Sequence, residues 1–373
     1  MTNIPLLALL SFVIAYVTIP VIIHIADEKK LFDLPDNRKK HTKLVSPLGG
    51  VGIFAGFFLS FLYFLGYSPT SEFGHFLAAG LILFFLGVKD DLMVMSASRK
   101  FAGQLIVALV VVFKGGLNLT TLYGLFGINE ISYLGGALLS CLVVLLVINA
   151  VNLIDGVDGL AGSLGLAAMC LFGTYFCLTG QTPYAAFAFC MAGSLLAFLR
   201  FNFAPAKIFM GDTGSMMIGL VASILLLKFL VTIHPGSPFY SAAPALGLSV
   251  LMVPILDTLR VFNLRIWQGR SPFSPDRSHI HHLLLDKGLN HKGVTLTLSA
   301  WNAAGVALVI LFSGMGPWLL LLMALVYIII TSILSGGVRF KTRSSALLKG
   351  LQPSSLEIPG IKLELDQQAV TND

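Results

Sequence analysis

The sequence predicts an all-α polytopic membrane protein, about eleven transmembrane helices with their polar loops gathered at the cytoplasmic face. Three observations carry this. Of the 373 residues, 56% are hydrophobic and only 11% charged, against roughly 25% charged in an ordinary soluble domain. Apolar runs of about 20 residues recur, the length that crosses a ~30 Å hydrocarbon core as a helix with every backbone group paired internally. Lys and Arg collect in alternate connections, as the preference for positive charge on the cytoplasmic side requires.

The first run, 4–25, contains Pro5, Pro20 and His24 but neither a basic leader nor a small-residue cleavage site, so it reads as a retained helix. Further runs follow at 47–67, 74–89, 100–113, 132–150, 159–179, 183–200, 215–233, 242–262, 295–313 and 316–335. Those at 74–89 and 100–113 are short for a full span, so extension, tilt or re-entry stays open. Of the 24 Lys and Arg, all but Lys114 and Lys228 fall in connections of one parity or in the tail. That places the N-terminus outside and the C-terminus in the cytoplasm, the arrangement expected for a multi-pass inner-membrane protein. Residues 1–335 then form an integral membrane domain, and 336–373 a polar cytoplasmic tail with no core of its own. Cys141, Cys170, Cys177 and Cys190 lie inside apolar runs without metal-type spacing and read as small core residues. The net charge of +6 is dispersed and forms no nucleic-acid motif, so the expected surroundings are a lipid bilayer and no nucleic acid.

Ionisable residues at a bilayer need water, a partner, a metal or a ligand, and here they form clusters on the cytoplasmic side. Asp90-Asp91 closes the third run. Adjacent carboxylates repel and a divalent cation relieves the repulsion, although taken alone the pair reads first as a solvated helix end balanced by Lys89. Asn149, Asn152, Asp155 and Asp158 recur every third residue, which sets four polar groups on one stripe of a helix end broken by glycine; Asp155-Gly156 also suits a turn. Lys207-Ile-Phe-Met-Gly211-Asp212-Thr-Gly-Ser215 leads into another helix. Gly211 permits close backbone approach, the helix N-terminus favours an anion, and Asp212 offers a hard oxygen to Mg²⁺, with Asp212 or Ser215 acting only as a helix cap as the rival reading. The loop from Gly269 to His282 supplies Arg277, His279, His281 and His282, donors suited to phosphate oxygens. Zinc is a weaker fit, since no Cys is near and the accompanying acids are hard-ion ligands. Lys43, upstream of Pro47, suits an anionic headgroup or is one more positive-inside residue.

With these segments in view, the chain resembles the polyprenyl-phosphate N-acetylhexosamine-1-phosphate transferase superfamily over about residues 1–335. The markers are Asp90-Asp91, the Asn-x-x-Asp-Gly-x-Asp-Gly stretch ending at Gly159, Phe-Met-Gly-Asp ending at Asp212, and His279-Ile-His281-His282. The stretch from Ser271 to His282 is similar to the undecaprenyl-phosphate N-acetylglucosaminyl 1-phosphate transferase branch. The muramoyl-pentapeptide branch has three consecutive histidines where Ile280 intervenes in this chain.

The resemblance implies catalytic roles for Asp90, Asp91, Asp155, Asp158 and Asp212, with Asp91 and Asp212 holding Mg²⁺, or Mn²⁺ in its place. It implies substrate contacts from Lys43, Asn149, Asn152, Gly211, Arg277, His279, His281 and His282. Undecaprenyl phosphate and a UDP-N-acetylhexosamine are the implied partners, UMP the released product, and a lipid-linked cell-envelope glycan the outcome; a homo-oligomer stays open. The competing readings are a transporter or lipid flippase, whose acids belong near the bilayer midplane, and a noncatalytic scaffold, which leaves the polar clusters unexplained.

Overall fold

Apolar runs in lipid have one local way to pair their backbone groups, and each predicted run contains helix. A computed structural model describes residues 3–32, 45–67, 70–271 and 277–334. Lys43, Asp276 and the tail at 336–373 lie outside the described residues. The helices are α1 (Ile4–Lys29), α2 (Gly49–Tyr67), α3 (Ser71–Leu92), α4 (Ala97–Leu109), α5 (Tyr133–Ile154), α6 (Leu160–Leu178) and α7 (Thr182–Asn202). They continue with α8 (Gly211–Thr232), α9 (Ala243–Ser249), α10 (Met252–Trp267), α11 (Ile280–Asp286), α12 (His291–Leu311) and α13 (Trp318–Leu334). Among the described residues, eight helices are long and apolar enough to cross a membrane: α1, α2, α3, α5, α6, α7, α8 and α12. The run expected at 74–89 extends to 22 residues as α3, and α4 runs on through a π-helical turn at Val110–Lys114.

One expected helix is broken. The run at 242–262 divides into α9 and α10, bent by 94°. A break frees backbone groups that lipid cannot satisfy. Asn302 of α12 supplies the partners: its Oδ1 accepts from the Val253 N–H at 3.1 Å, and its Nδ2 donates to the Val250 carbonyl at 3.0 Å. With up to nine spans if this bent pair is one, the 17-residue α13 and α4 fill the remaining predicted runs as shorter elements.

Helix α8 is the axis of the bundle, with 89% of its apolar window buried against 28% for the peripheral α1. It packs on α5, α3 and α2. Away from the polar clusters, Phe61, Phe73 and Phe187 meet at ring-centroid distances of 4.9–5.4 Å and lock α2, α3 and α7 together. Beside them Lys228 lies 4.4 Å from the Tyr184 ring, and the Tyr184 hydroxyl donates to Glu72 at 3.1 Å. That half-buried set gives the aberrant Lys228 an aromatic face and accounts for a lysine outside the charge-alternation pattern. Cys141 and Cys190 are buried as expected, whereas Cys170 and Cys177 are exposed, because α6 turns that face away from the bundle.

The C-terminal ends of α3 and α5 and the N-terminal ends of α4 and α8 converge through side-chain contacts on one face. The start of α11 joins them through His281, which packs on Gly156.

Candidate active site

The last turn of α3 carries Asp90 and Asp91, and the two side chains part company there. Asp91 faces the start of α8: its Oδ1 accepts from the Asp212 N–H at 2.6 Å, and its Oδ2 from the Thr213 N–H at 3.1 Å and the Thr213 hydroxyl at 2.6 Å. The first amides of a helix lack intrahelical partners and carry the positive end of its dipole, so a carboxylate is favoured there. The anion expected at this N-terminus is therefore supplied by the chain itself. Gly211 makes the approach feasible, with φ of +69° and an added Cβ only 2.7 Å from each Asp91 oxygen. Its glycine is a packing requirement of this contact.

Asp90 faces the other way. Its Oδ1 accepts from the Met95 N–H at 2.7 Å, closing the α3–α4 turn, and its Oδ2 lies 3.2 Å from Lys100 Nζ. The same ammonium is hydrogen-bonded to Asp212 Oδ2 and lies 3.4 Å from Asn152 Oδ1. Asp212 Oδ1 accepts from Asn152 Nδ2 at 2.5 Å, and Asn152 Nδ2 also reaches Ser215 Oγ at 2.9 Å. Lys100 thus sits among three oxygens drawn from α3, α5 and α8. Asn149, deeper along α5, donates to Gln104 of α4 at 2.9 Å and to the Leu145 carbonyl at 2.8 Å, which ties α5 to α4 below the cluster.

Asp155 caps the C-terminus of α5, half-buried. Burial, followed by the charges of Asp212, Asp91 and Asp158, pushes its pKa up to about 8. A cation among these carboxylates would oppose that rise. Asp158 is buried and serves as a tie: its Oδ2 accepts from the Ala206 N–H at 3.2 Å, its Oδ1 lies 3.2 Å from His291 Nδ1, and its carbonyl accepts from the Thr295 hydroxyl at 3.0 Å. It fastens the α5–α6 turn to α12 and to the segment before α8.

The histidines form a stack at the start of α11. The rings of His279 and His281 lie 5.7 Å apart, and those of His281 and His282 4.3 Å. His281 rests on Gly156, where an added Cβ would come 2.5 Å from its Nε2. Burial drives the His281 pKa down to about 3, and burial followed by Arg277 lowers that of His282, so both rings are neutral near pH 7. His279 Nε2, His281 Nδ1 and His282 Nδ1 are buried without a hydrogen-bond partner among the described residues. Buried polar atoms are ordinarily paired, and three orphans in one stack point to a polar ligand that completes them. Arg277 turns outward instead, exposed and paired with Asp286 at 3.0 Å.

Among the described residues no three His, Cys, Asp or Glu side chains are grouped to hold a metal. The oxygens of Asp90, Asp212 and Asn152 nonetheless surround a positive charge, that of Lys100, and hard oxygens in such a set suit Mg²⁺. Sequence reasoning counted Lys100 only as a positive-inside residue, although it opens the helix that directly follows Asp90. It passed over Gln104 and Thr213, weighed Ser215 only as a helix cap, and missed Asp257, whose signal was an acid inside an apolar run.

The sequence profile of glycosyl transferase family 4 matches residues 73–230, from α3 to α8. A protein of Salmonella typhi named undecaprenyl-phosphate alpha-N-acetylglucosaminyl 1-phosphate transferase is 31% identical over 304 residues, 79% of this chain and 81% of its own length. Its namesake in Escherichia coli (strain K12) is 32% identical over 311 residues, 81% and 82% of the two chains. The decaprenyl-phosphate N-acetylglucosaminephosphotransferase of Mycobacterium leprae (strain TN) is 32% identical over 348 residues, 86% and 87% of the two chains.

Proposed function

The chain belongs to glycosyl transferase family 4, and from that premise we propose that it transfers N-acetylglucosamine 1-phosphate from UDP-N-acetylglucosamine to undecaprenyl phosphate. An oxygen of the acceptor phosphate attacks the sugar-bearing phosphorus. The bond from that phosphorus to the oxygen bridging the two donor phosphates breaks, and UMP leaves with that oxygen. The lipid then carries a sugar diphosphate, the starting unit of a cell-envelope glycan.

The observation that carries this reading is the adjacency of two unlike polar sets. The oxygens of Asp90, Asp212 and Asn152 surround a cation position, and the histidine stack, with three buried imidazole nitrogens awaiting a partner, packs on Gly156 in the turn that follows Asn152. A diphosphate bridging a hard cation and imidazole donors satisfies both. Mg²⁺, or Mn²⁺ in its place, would be held by Asp212 with Asp90 in place of the expected Asp91, whose two oxygens are taken by the start of α8, and would supply positive charge to the phosphate oxygens. Asp91 holds the α8 N-terminus so that Asp212 stays aimed at the site, and Asn152 fixes the Asp212 carboxylate from α5. His279, His281 and His282 take the donor diphosphate. Electrostatic compensation is the main need when two anions react, and no strong base is required. A phosphate monoester, with a second pKa near 6, is mostly dianionic at about pH 7.

The exposed apolar faces of the surrounding helices suit the polyprenyl tail, while the site itself lies at the helix ends that the lysine distribution assigns to the cytoplasm, where UDP-sugars are available. A carrier would need its acids partway along the spans. The test is to combine purified protein, undecaprenyl phosphate, Mg²⁺ and UDP-N-acetylglucosamine and identify both products. UMP with a sugar-diphosphate lipid is expected; UDP with a monophosphate-linked sugar lipid overturns the proposal. UDP-muramoyl-pentapeptide should fail as donor.

A further inference from the structure

Asp257 lies on α10 within a run that sequence reasoning treated as plain membrane helix, yet its carboxylate, 1% exposed, is engaged on both oxygens. Oδ2 lies 2.8 Å from His279 Nδ1. Oδ1 accepts from the Ile280 N–H at 3.1 Å and from Arg260 at 2.8 Å. Arg260 continues to the Ser278 carbonyl at 2.5 Å. One buried ion pair thereby grips three successive residues, Ser278, His279 and Ile280, by backbone and side chain together.

An ionised carboxylate only accepts hydrogen bonds, so His279 Nδ1 must carry the proton, and the ring's other nitrogen, Nε2, is the one left without a partner among the described residues. We infer that Asp257, supported by Arg260, is a positioning residue that fixes the tautomer and direction of His279, so that Nε2 is presented to the phosphate-bearing donor. The role assigned to that donor rests on the proposed function; the Asp257–His279 coupling does not. Asp257 touches no substrate in this arrangement and acts through the imidazole alone.

Asp257→Asn keeps the shape and changes the proton. The amide oxygen is needed by two donors, Ile280 N–H and Arg260, so the amide nitrogen is turned to His279 Nδ1, which must give up its proton to Nε2. In protein labelled with ¹⁵N-histidine, the His279 signals, identified by their loss in His279→Ala, should exchange tautomer between wild type and Asp257→Asn. Unchanged His279 shifts overturn the inference. In turnover, Asp257→Asn should lower kcat/KM for UDP-N-acetylglucosamine by about 10–100-fold, the usual range for removing a residue that orients a site ligand. In a His279→Ala background the same substitution should cost less than ~3-fold, because residues acting through one another are non-additive. A full, additive penalty in that background would mean that Asp257 acts elsewhere, and overturns the inference. If Asp257→Asn does not fold, Asp257→Glu, which retains the charge but shifts the acceptor by a methylene, must show the same non-additivity. Wild-type protein that makes no UMP would refute the proposed function, while the tautomer measurement still decides the role of Asp257.

Discussion

Asp91→Asn tests how the site is assembled. The aspartate accepts three hydrogen bonds from the first turn of α8, one on Oδ1 and two on Oδ2. An asparagine keeps one oxygen, best spent on the two Thr213 donors, and its NH₂ then faces the Asp212 N–H. The loss is one charge-assisted bond, about 1.5–3 kcal/mol, together with the favourable interaction of an anion with a helix N-terminus, about 0.3–1 kcal/mol. A total near 3 kcal/mol, borne by the alignment of Asp212 in the transition state, is about a 100-fold fall in turnover. Thr213→Val removes only the hydroxyl bond and should cost about a tenth as much in rate. The assay is UMP release from reconstituted protein across a Mg²⁺ series, with thermal unfolding in detergent alongside. Asp91→Asn should lower the unfolding midpoint, and Mg²⁺ should not rescue its rate. If Asp91→Asn unfolds like wild type and excess Mg²⁺ restores its rate, Asp91 is a metal ligand first and its role as the clamp on α8 is refuted.

Three further outcomes follow from the same geometry. Lys100→Gln removes the ammonium held by Asp90 and Asp212. Two charges 4 Å apart exchange about 4 kcal/mol at an effective dielectric of 20, so recovering a third of that should lower half-saturating Mg²⁺ by about 10-fold; a rise would show that lysine and metal do not share these oxygens. His281 is held neutral with a pKa of about 3 against an ordinary 6.5. The unfolded chain therefore binds the extra proton first, and stability present above pH 6.5 declines as pH falls toward 3. At pH 5 the decline is about 2 kcal/mol; His281→Gln should flatten this part of the unfolding-versus-pH curve, and an identical curve for the two proteins would contradict it. Gly156→Ala sets a methyl 2.5 Å from His281 Nε2. Relieving that contact moves the ring by about 1 Å, a misplacement that costs about 100-fold in turnover, read against a nearly unchanged unfolding midpoint; wild-type turnover would show that the ring need not stay on Gly156.

The bundle was legible because lipid leaves so few choices: apolar runs of spanning length must be helical, and the lysines report which ends share a face. The polar clusters were legible for the same reason, since Asn149, Asn152 and Asp155 have no business at an apolar helix end without partners. The break between α9 and α10 was not, because both halves are apolar and the residue that satisfies the freed backbone, Asn302, lies on α12. Asp257 was hidden likewise, its partners Ser278 and His279 being brought to it only by the return of the loop.

The Asp90-Asp91 pair shows where adjacency in sequence misleads. Read as neighbours, the two carboxylates repel and call for one shared cation. On a helix of 3.6 residues per turn, consecutive side chains diverge by about 100°, so the pair addresses two surfaces at once. Asp90 meets the ammonium at the start of α4, and Asp91 meets the amides at the start of α8. The repulsion is relieved by two different positive groups on two different helices. The dipeptide thus works as a joint: it fastens α8 so that Asp212 cannot retreat, while leaving Asp90 to share the cation position with it. Which aspartate does which follows from the rotation of α3 between α4 and α8, a fact of packing that no spacing of residues along the chain encodes.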